Sequence, residues 1–286
     1  MKVAIFGNTY KRETFSTIKE LLKLLEAANI QAVFEPALRE ELTADGVTGM
    51  LACLQPEEEA DLALSVGGDG TFLNTASIVG QRMLILGLNT GRLGFLADIS
   101  PEEMKEAFAC FLAGDYSVEQ RSLLEVETDG VKLTTPSCAL NEVALLKQDL
   151  SSMISVNVWL NGEFLHTYQA DGLLLATPTG STAYSLSVGG PILTPQSRNF
   201  ILSPVATHSL NVRPLVISDD AILSLQVQSR SGSFLLSVDG QSQVMKDSVK
   251  ITLKKASYSV KTIRINTHTF FQTLKTKLMW GADKRI

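Results

Sequence analysis

Residues 62–71 read Leu62-Ala63-Leu64-Ser65-Val66-Gly67-Gly68-Asp69-Gly70-Thr71, an apolar run that leads directly into a glycine-rich turn. The run has the length of one buried strand, and residues 72–79 are compatible with a helix. Backbone N–H groups at the start of a helix bind phosphate oxygens, and glycines let the backbone approach a ligand closely. The stretch therefore predicts a strand, a phosphate-binding turn and a helix.

Asp69 is the informative residue of this turn, because a carboxylate repels a bound phosphate unless it handles a proton or a Mg²⁺ ion. An ordinary glycine-rich turn with a solvated aspartate is the alternative interpretation. The chain has no G-x-G-x-x-G motif after a strand and no G-x-x-x-x-G-K-[ST] motif. Their absence from the sequence disfavours a dehydrogenase and a P-loop ATPase.

Strands and helices alternate on both sides of this turn. Residues 3–6 and 84–87 are short apolar runs typical of buried strands, and residues 15–28 carry apolar side chains at helical spacing. Ser100-Pro101-Glu102-Glu103 combines an N-cap hydroxyl, a proline and a capping-box glutamate, and it predicts a helix that ends at Gly114. The alternation predicts an α/β N-terminal domain with a parallel sheet over residues 1–115.

The pattern changes after residue 115. β-Branched runs are broken by hairpin signals such as Asn161-Gly162 and Asp239-Gly240, and long amphipathic helices are scarce. Residues 116–265 are therefore predicted to form an all-β C-terminal domain of layered sheets or a sandwich. The tail, residues 266–286, is apolar at a spacing of three and four, which predicts a short helix that packs back on the N-terminal domain.

Composition excludes several classes of function. The 286 residues carry a formal net charge of −5 and show no basic footprint for nucleic acid. No apolar run approaches the roughly 18 residues of a membrane helix. Cys53, Cys110 and Cys138 are widely spaced and odd in number, which predicts free thiols in a reducing compartment. We expect a cytoplasmic protein that binds neither nucleic acid nor a membrane.

A second glycine-rich stretch follows the next predicted strand and reads Gly87-Leu88-Asn89-Thr90-Gly91-Arg92-Leu93-Gly94-Phe95-Leu96. Turns that follow neighbouring parallel strands lie at one edge of the sheet, where α/β sheets bind their ligands. Taken alone, however, a loop with a packed Phe95 is the commoner explanation of such a stretch.

Polar residues interrupt the β-rich half at two places. Asn141 and Glu142 lie within the apolar run 139–145, where an unpaired buried carboxylate is costly, so either a structural partner or a ligand contact is needed. Residues 171–191 carry an apolar strand into a long turn rich in hydroxyl groups and glycine, with no charge after Asp171. Such a surface suits the neutral bases and sugars of a nucleotide.

Together, these motifs resemble those of the NAD kinases, which transfer a phosphoryl group to the 2′-hydroxyl of the adenosine ribose of NAD. The resemblance covers nearly the whole chain, and it rests on residues 67–71, 87–96, 141–142, 171–191, 208–216 and 239–241. Phosphofructokinases and the diacylglycerol and sphingosine kinases share the motif at residues 67–71. The run 177–191 is much more specific.

The resemblance implies roles for the matching residues. Asp69 is implied to be the catalytic carboxylate, Asn141 and Glu142 to hold the adenosine part of NAD, and Asp171 to bind the nicotinamide amide. The residues implied to bind the dinucleotide are Gly68, Asp69, Gly70, Phe95, Asn141, Glu142, Asp171, Thr182, Ala183, Tyr184, Ser185 and Gln241. ATP and NAD are the implied substrates, with Mg²⁺ carried mainly by ATP and no residue assigned as a metal ligand. The family also implies a homodimer or homotetramer in which a neighbouring subunit completes the pocket.

Two other functions fit parts of the sequence. A lipid or sugar kinase shares the glycine-rich Asp69 motif, and it would consume ATP without depending on NAD. A non-catalytic NAD-binding sensor would bind NAD without forming NADP. Asp69 argues against the sensor, because a protein that only binds has no need of a carboxylate beside phosphate.

Overall fold

The computed structural model describes residues 1–10, 12–47, 51–91, 94–149, 152–265 and 268–281. The chain divides into two compact units. Unit 1 is Met1–Gln120 with Val260–Ile286, and unit 2 is Arg121–Ser259. Within the described ranges, no helix is long and apolar enough to cross a membrane.

Unit 1 is an α/β fold built on a parallel sheet. Its strands are β1 (Lys2–Gly7), β2 (Gln31–Phe34), β3 (Ala52–Cys53), β4 (Leu62–Gly67) and β5 (Leu84–Asn89). Its helices are α1 (Arg12–Ala27), α2 (Pro36–Ala44), α3 (Asp69–Val79), α4 (Met104–Ala113) and, from the tail, α6 (Phe270–Leu278). The strands lie in the order β3-β2-β1-β4-β5, and all neighbours are parallel.

The sheet of unit 1 places two chain turns side by side. β1 and β4 are apolar and buried, as expected for central strands of a parallel sheet covered by helices. Ile5 and Leu64 of the sheet pack in one core with Ile18 of α1 and Phe108 of α4. β4 and β5 end together, with Gly67 paired to Asn89. The segments that follow these two strands therefore leave the sheet at one edge.

Unit 2 is built from antiparallel sheets. Its strands are β6 (Tyr116–Thr128), β7 (Cys138–Ala139), β8 (Glu142–Lys147), β9 (Ile154–Leu160), β10 (Glu163–Ala170), β11 (Gly172–Ala176), β12 (Asn199–Val205), β13 (Leu215–Ser218), β14 (Leu223–Gln228), β15 (Ser233–Val238), β16 (Gln241–Lys246) and β17 (Lys250–Ile265). A 3₁₀ turn (Thr179–Thr182) and the short helix α5 (Tyr184–Ser187) follow β11. The first residues of β6 and the last residues of β17 belong to unit 1.

The sheets of unit 2 enclose one apolar core. One sheet has the order β13-β12-β11-β8-β15-β16, and the other joins β10, β9 and β14 to the first half of β17. Leu145, Leu175 and Phe234 of the first sheet pack with Val156 and Leu225 of the second. Buried residues alternate with more exposed ones along β9 and β14, as expected where one face of a sheet covers a core, whereas β11 is buried along its whole length.

The architecture confirms the predicted α/β part, the all-β part and the tail that packs back on the N-terminal part. Two helix starts differ from the prediction. α3 begins at Asp69 rather than at residue 72, because Gly68 is its N-cap. α4 begins at Met104, because residues 100–103 form a turn in which the Glu103 carboxylate accepts the Ser100 N–H. The predicted domain limits, 115/116 and 265/266, stay a prediction and coincide with the outer ends of β6 and β17.

Candidate active site

The glycine-rich turn after β4 presents open backbone at the start of α3. Gly67 is tightly packed, since an added Cβ would lie 2.3 Å from Thr71 Oγ1. A Cβ added at Gly68 or Gly70 would meet no described atom within 4 Å. The turn therefore leaves room for a phosphate group against the first N–H groups of α3.

The Asp69 carboxylate is held by the second glycine-rich stretch. Its Oδ1 accepts the N–H groups of Leu96 at 3.0 Å and Ala97 at 3.1 Å, and its Oδ2 accepts the N–H of Phe95 at 2.9 Å. A Cβ added at Gly94 would lie 1.9 Å from Oδ1, so only glycine fits there. The two glycine-rich stretches thus form one structure around the carboxylate. Arg92 and Leu93 of the same motif lie outside the described residues.

A cation from the tail faces the same carboxylate. Lys277 of α6 places its Nζ 3.6 Å from Asp69 Oδ2 and 4.6 Å from the centre of the Phe95 ring. Phe95 also contacts Phe270 of α6, with 6.3 Å between the ring centres. Phe95 is therefore packed in its loop, and the dinucleotide contact implied for it stays a prediction.

In unit 2, Asn141 and Glu142 are held by an aspartate from a neighbouring hairpin. Asp239 accepts the N–H groups of Leu140 at 2.6 Å, Asn141 at 2.8 Å and Glu142 at 3.0 Å. Asp239 begins the tight turn between β15 and β16, where it has a φ of 48° and Gly240 a φ of 84°. Aspartate and glycine tolerate this left-handed backbone, which explains the hairpin signal in the sequence.

The turn after β11 packs directly on Asn141. The Thr177 N–H donates to Asn141 O at 2.8 Å, and the Thr177 hydroxyl donates to Leu140 O. A Cβ added at Gly180 would lie 2.1 Å from Asn141 O. Glycine is therefore needed at residue 180 so that the 3₁₀ turn can touch the backbone that carries Asn141 and Glu142.

Glu142 is the strongly perturbed acid of this site. Burial from water raises the pKa of its carboxyl group to about 7, the nearby charge of Asp239 adds to the rise, and the Tyr184 N–H opposes it. Its Oε2 is buried and has no hydrogen-bond partner among the described residues. A buried acceptor without a donor is costly, so this oxygen is suited to a hydroxyl or amino group of a ligand.

The residues from Thr182 to Ser185 lie beside Glu142. Thr182 ends the 3₁₀ turn, its hydroxyl donating to Thr179 O, and Ala183 links it to α5. The Tyr184 side chain is 36% exposed, while Ser185 is fully buried and its Oγ lacks a hydrogen-bond partner in the described part of the chain.

Gln241 lies at the same end of the sheet. It starts β16 opposite Val238, and Val238 pairs with Val143 of β8, next to Glu142. Its side chain is exposed. The structure thus brings Asn141, Glu142 and Gln241 to one end of unit 2, together with the Thr182–Ser185 segment.

Asp171 lies apart from this group. It precedes β11, whose other end, Ala176, pairs with Glu142. Five residues of an extended strand span about 17 Å. The Asp171 carboxylate also forms an ion pair with Lys147 at 2.8 Å.

Sequence reasoning missed three residues that shape these sites, namely Lys277, Gly94 and Asp239. The periodicity of the tail predicted a helix, but no local signal shows which lysine of that helix reaches Asp69. Asp239 belongs to a hairpin signal and to a motif of the resemblance, but no role of its own is predicted for it. The clue available in the sequence was its place in the motif at 239–241, since a turn alone does not require a buried carboxylate.

Comparisons with known proteins agree with this architecture. The family model of the ATP-NAD kinase N-terminal domain matches residues 3–116, and that of the ATP-NAD kinase C-terminal domain matches residues 140–265. A protein named NAD kinase from Bacteroides fragilis is 50% identical over 290 residues and covers 100% of both chains. One from Porphyromonas gingivalis is 46% identical over 290 residues and covers 99% of both.

Solved structures show the same fold. The crystal structure of yeast NADH kinase complexed with NADH superposes with a TM-score of 0.90 at 25% identity, covering 100% of this chain and 89% of that one. The crystal structure of an NAD kinase from Archaeoglobus fulgidus in complex with ATP gives a TM-score of 0.77 at 24% identity, covering 98% of this chain and 99% of that one, and shows likeness of fold. With both domain models matched in order and full-length relatives at half identity, the chain belongs to the ATP-NAD kinase family.

Proposed function

We propose that this protein transfers a phosphoryl group from MgATP to the 2′-hydroxyl of the adenosine ribose of NAD, yielding NADP and ADP. The Asp69 carboxylate carries the proposal, because it is fixed at the start of α3 beside the open backbone of Gly68 and Gly70. Membership of the ATP-NAD kinase family and full-length relatives named NAD kinase support ATP and NAD as the substrates.

Unit 2 supplies the dinucleotide site in this proposal. The unpartnered Oε2 of Glu142 accepts a hydroxyl or amino group of the adenosine part, and Asn141 beside it contributes its side-chain amide. The partly exposed ring of Tyr184 packs against a base. Thr182, Ala183, Ser185 and Gln241 complete the surface. The bound NADH of the yeast NADH kinase structure supports a dinucleotide as the ligand of this fold.

Unit 1 supplies the reacting carboxylate. Oδ1 of Asp69 already accepts two N–H groups, whereas Oδ2 accepts one and has a lone pair left for the ribose hydroxyl. As the oxygen of that hydroxyl bonds to phosphorus, the bond from phosphorus to ADP breaks and the hydroxyl proton passes to Asp69. In the alternative, the proton passes to water and Asp69 would help to position Mg²⁺. The ion itself is carried mainly by ATP. Phosphoryl transfer depends mainly on such positioning and charge neutralisation.

We assign Asp171 of one copy of the chain to the dinucleotide site of a neighbouring copy. Its distance from Glu142 along β11 and its ion pair with Lys147 support the proposal that it serves the nicotinamide end of a neighbouring site, in a homodimer or homotetramer. We also propose a cytoplasmic location, which the three free cysteines support.

The test is incubation with ATP, Mg²⁺ and NAD, with NADP scored by an NADP-specific dehydrogenase. Asp69→Asn is nearly isosteric and cannot accept the proton, so kcat should fall by roughly 10²- to 10⁴-fold while NAD still binds. Asp220→Asn, at an exposed aspartate, is the matched control. Near-normal turnover in the Asp69 variant contradicts the assignment. ATP consumption that does not depend on NAD indicates a lipid or sugar kinase, and NAD binding without NADP indicates a sensor.

A further inference from the structure

Lys277 is a cation at the reacting carboxylate that the proposed chemistry leaves unused. Its Nζ lies 3.6 Å from Asp69 Oδ2. That distance exceeds a normal N–H···O hydrogen bond, so the ammonium attracts the carboxylate without occupying its remaining lone pair. The two side chains are 33% and 31% exposed, and partial burial reduces the screening of their attraction by salt.

The same ammonium contacts the residue that donates to Oδ2. Nζ lies over the ring of Phe95, 4.6 Å from its centre, in the position of a cation–π contact. The N–H of Phe95 donates to Asp69 Oδ2 at 2.9 Å. Lys277 therefore touches both members of the Asp69–Phe95 hydrogen bond, and it opposes rotation of the carboxylate and displacement of the loop together.

Helix α6 is anchored so that Lys277 is held in place. Thr269 and Gln272 form a reciprocal capping box at its N-terminus. Leu274 is buried, and Phe270 packs against Phe95. Lys275, in the same last turn, is exposed and has no ion pair within the described ranges. The helix thus presents one of these two lysines to the carboxylate.

We propose that Lys277 is a positioning residue for phosphoryl transfer, which holds the Asp69 carboxylate and the Phe95 loop in the arrangement that receives the substrate hydroxyl. This inference rests on the proposed function. It assigns to the C-terminal helix a part in the reaction as well as in folding. Lys277 contacts Asp69 and not the dinucleotide site of unit 2. Loss of its charge should therefore lower kcat and leave the affinity for NAD unchanged.

The test compares Lys277→Met, Lys277→Arg and the control Lys275→Met, measuring kcat and KM for NAD and ATP, the Kd of NAD, and the melting temperature. Methionine keeps most of the length of the side chain and removes its charge. Misplacement of a reacting group by about 1 Å costs on the order of 100-fold, so Lys277→Met should lose roughly 10- to 100-fold in kcat, with the Kd of NAD unchanged. Lys277→Arg should recover most of the loss, and Lys275→Met should match the wild type.

Three results overturn the inference in an active enzyme. One is a wild-type kcat in Lys277→Met, and another is an equal loss in the Met and Arg variants, which shows that charge is not the cause. The third is a loss of kcat that follows a fall in melting temperature, which shows a role in folding alone. A wild-type enzyme that forms no NADP contradicts the proposed function instead, so the two failures are distinguishable.

Discussion

Replacing Glu142 by Gln should stabilise the protein above pH 7 and leave its stability unchanged near pH 4.5, because the pKa of this carboxyl group is raised from 4.5 to about 7. A group that holds its proton more tightly in the folded chain stabilises the fold at low pH. That contribution is lost as the pH rises through the folded-state pKa. Glu142 should therefore lower the free energy of unfolding of the wild type as the pH rises from 4.5 to about 7.

The size of the effect follows from the same values. The rise from 4.5 to about 7, at roughly 1.4 kcal/mol for each pH unit, amounts to at most about 3 kcal/mol. Glutamine has nearly the same shape as protonated glutamate and can still accept the Tyr184 N–H, but it never ionises. The variant should therefore match the wild type in acid and exceed it by up to about 3 kcal/mol above pH 7.

Urea unfolding followed by circular dichroism, from about pH 4 to about pH 8, measures this difference. Glu163→Gln is the control, because Glu163 is an exposed glutamate of the same unit. Its stability curve should run parallel to that of the wild type. If the Glu142→Gln curve also runs parallel, the surroundings of Glu142 do not raise the pKa of its carboxyl group.

Three further substitutions test the packing of the sites. Gly94→Ala puts a methyl group 1.9 Å from Asp69 Oδ1, so kcat should fall on the order of 100-fold in the NADP assay; an unchanged kcat would show that the loop does not position the carboxylate. Gly180→Ala puts a methyl group 2.1 Å from Asn141 O. The variant should lose about 1–3 kcal/mol of unfolding free energy in urea and show a higher KM for NAD. A wild-type stability together with a wild-type KM would contradict the close approach. Tyr184→Ala removes a ring that is 36% exposed and should weaken NAD binding by about 10-fold in a direct titration, so an unchanged Kd would exclude a lining role.

Most of the fold could be predicted from the sequence, because the patterns that specify its strands, helices and turns are local. The apolar run at residues 62–66 became β4, the periodic segment that starts near residue 15 became α1, and Asn161-Gly162 became a hairpin turn between β9 and β10. Each of these elements depends on residues within one or two turns of chain. The start of α4 was less accurate. The expected bond from the Ser100 N–H to the Glu103 carboxylate is present, but residues 101–103 form turns and the regular helix begins at Met104.

The sites around Asp69 and Glu142 could be predicted only in part from the sequence. Motif residues such as Asp69 and Glu142 stand out in the sequence, because carboxylates within glycine-rich or apolar segments are unusual. Their surroundings do not stand out. The partners of Asp69 come from Phe95, Leu96 and Ala97, and its cation comes from Lys277, more than 200 residues away in sequence.

Local sequence thus determines the order of strands and helices, the glycine-rich turn, and which residue of that turn is the carboxylate. Backbone preference and apolar periodicity act over only a few residues. The contacts that give those carboxylates their charge and orientation are properties of the folded chain. Asp239 beneath Glu142 and Lys277 beside Asp69 approach their targets through strand pairing and helix packing. Burial, which raises the pKa of Glu142, exists only once the sheets have closed around it.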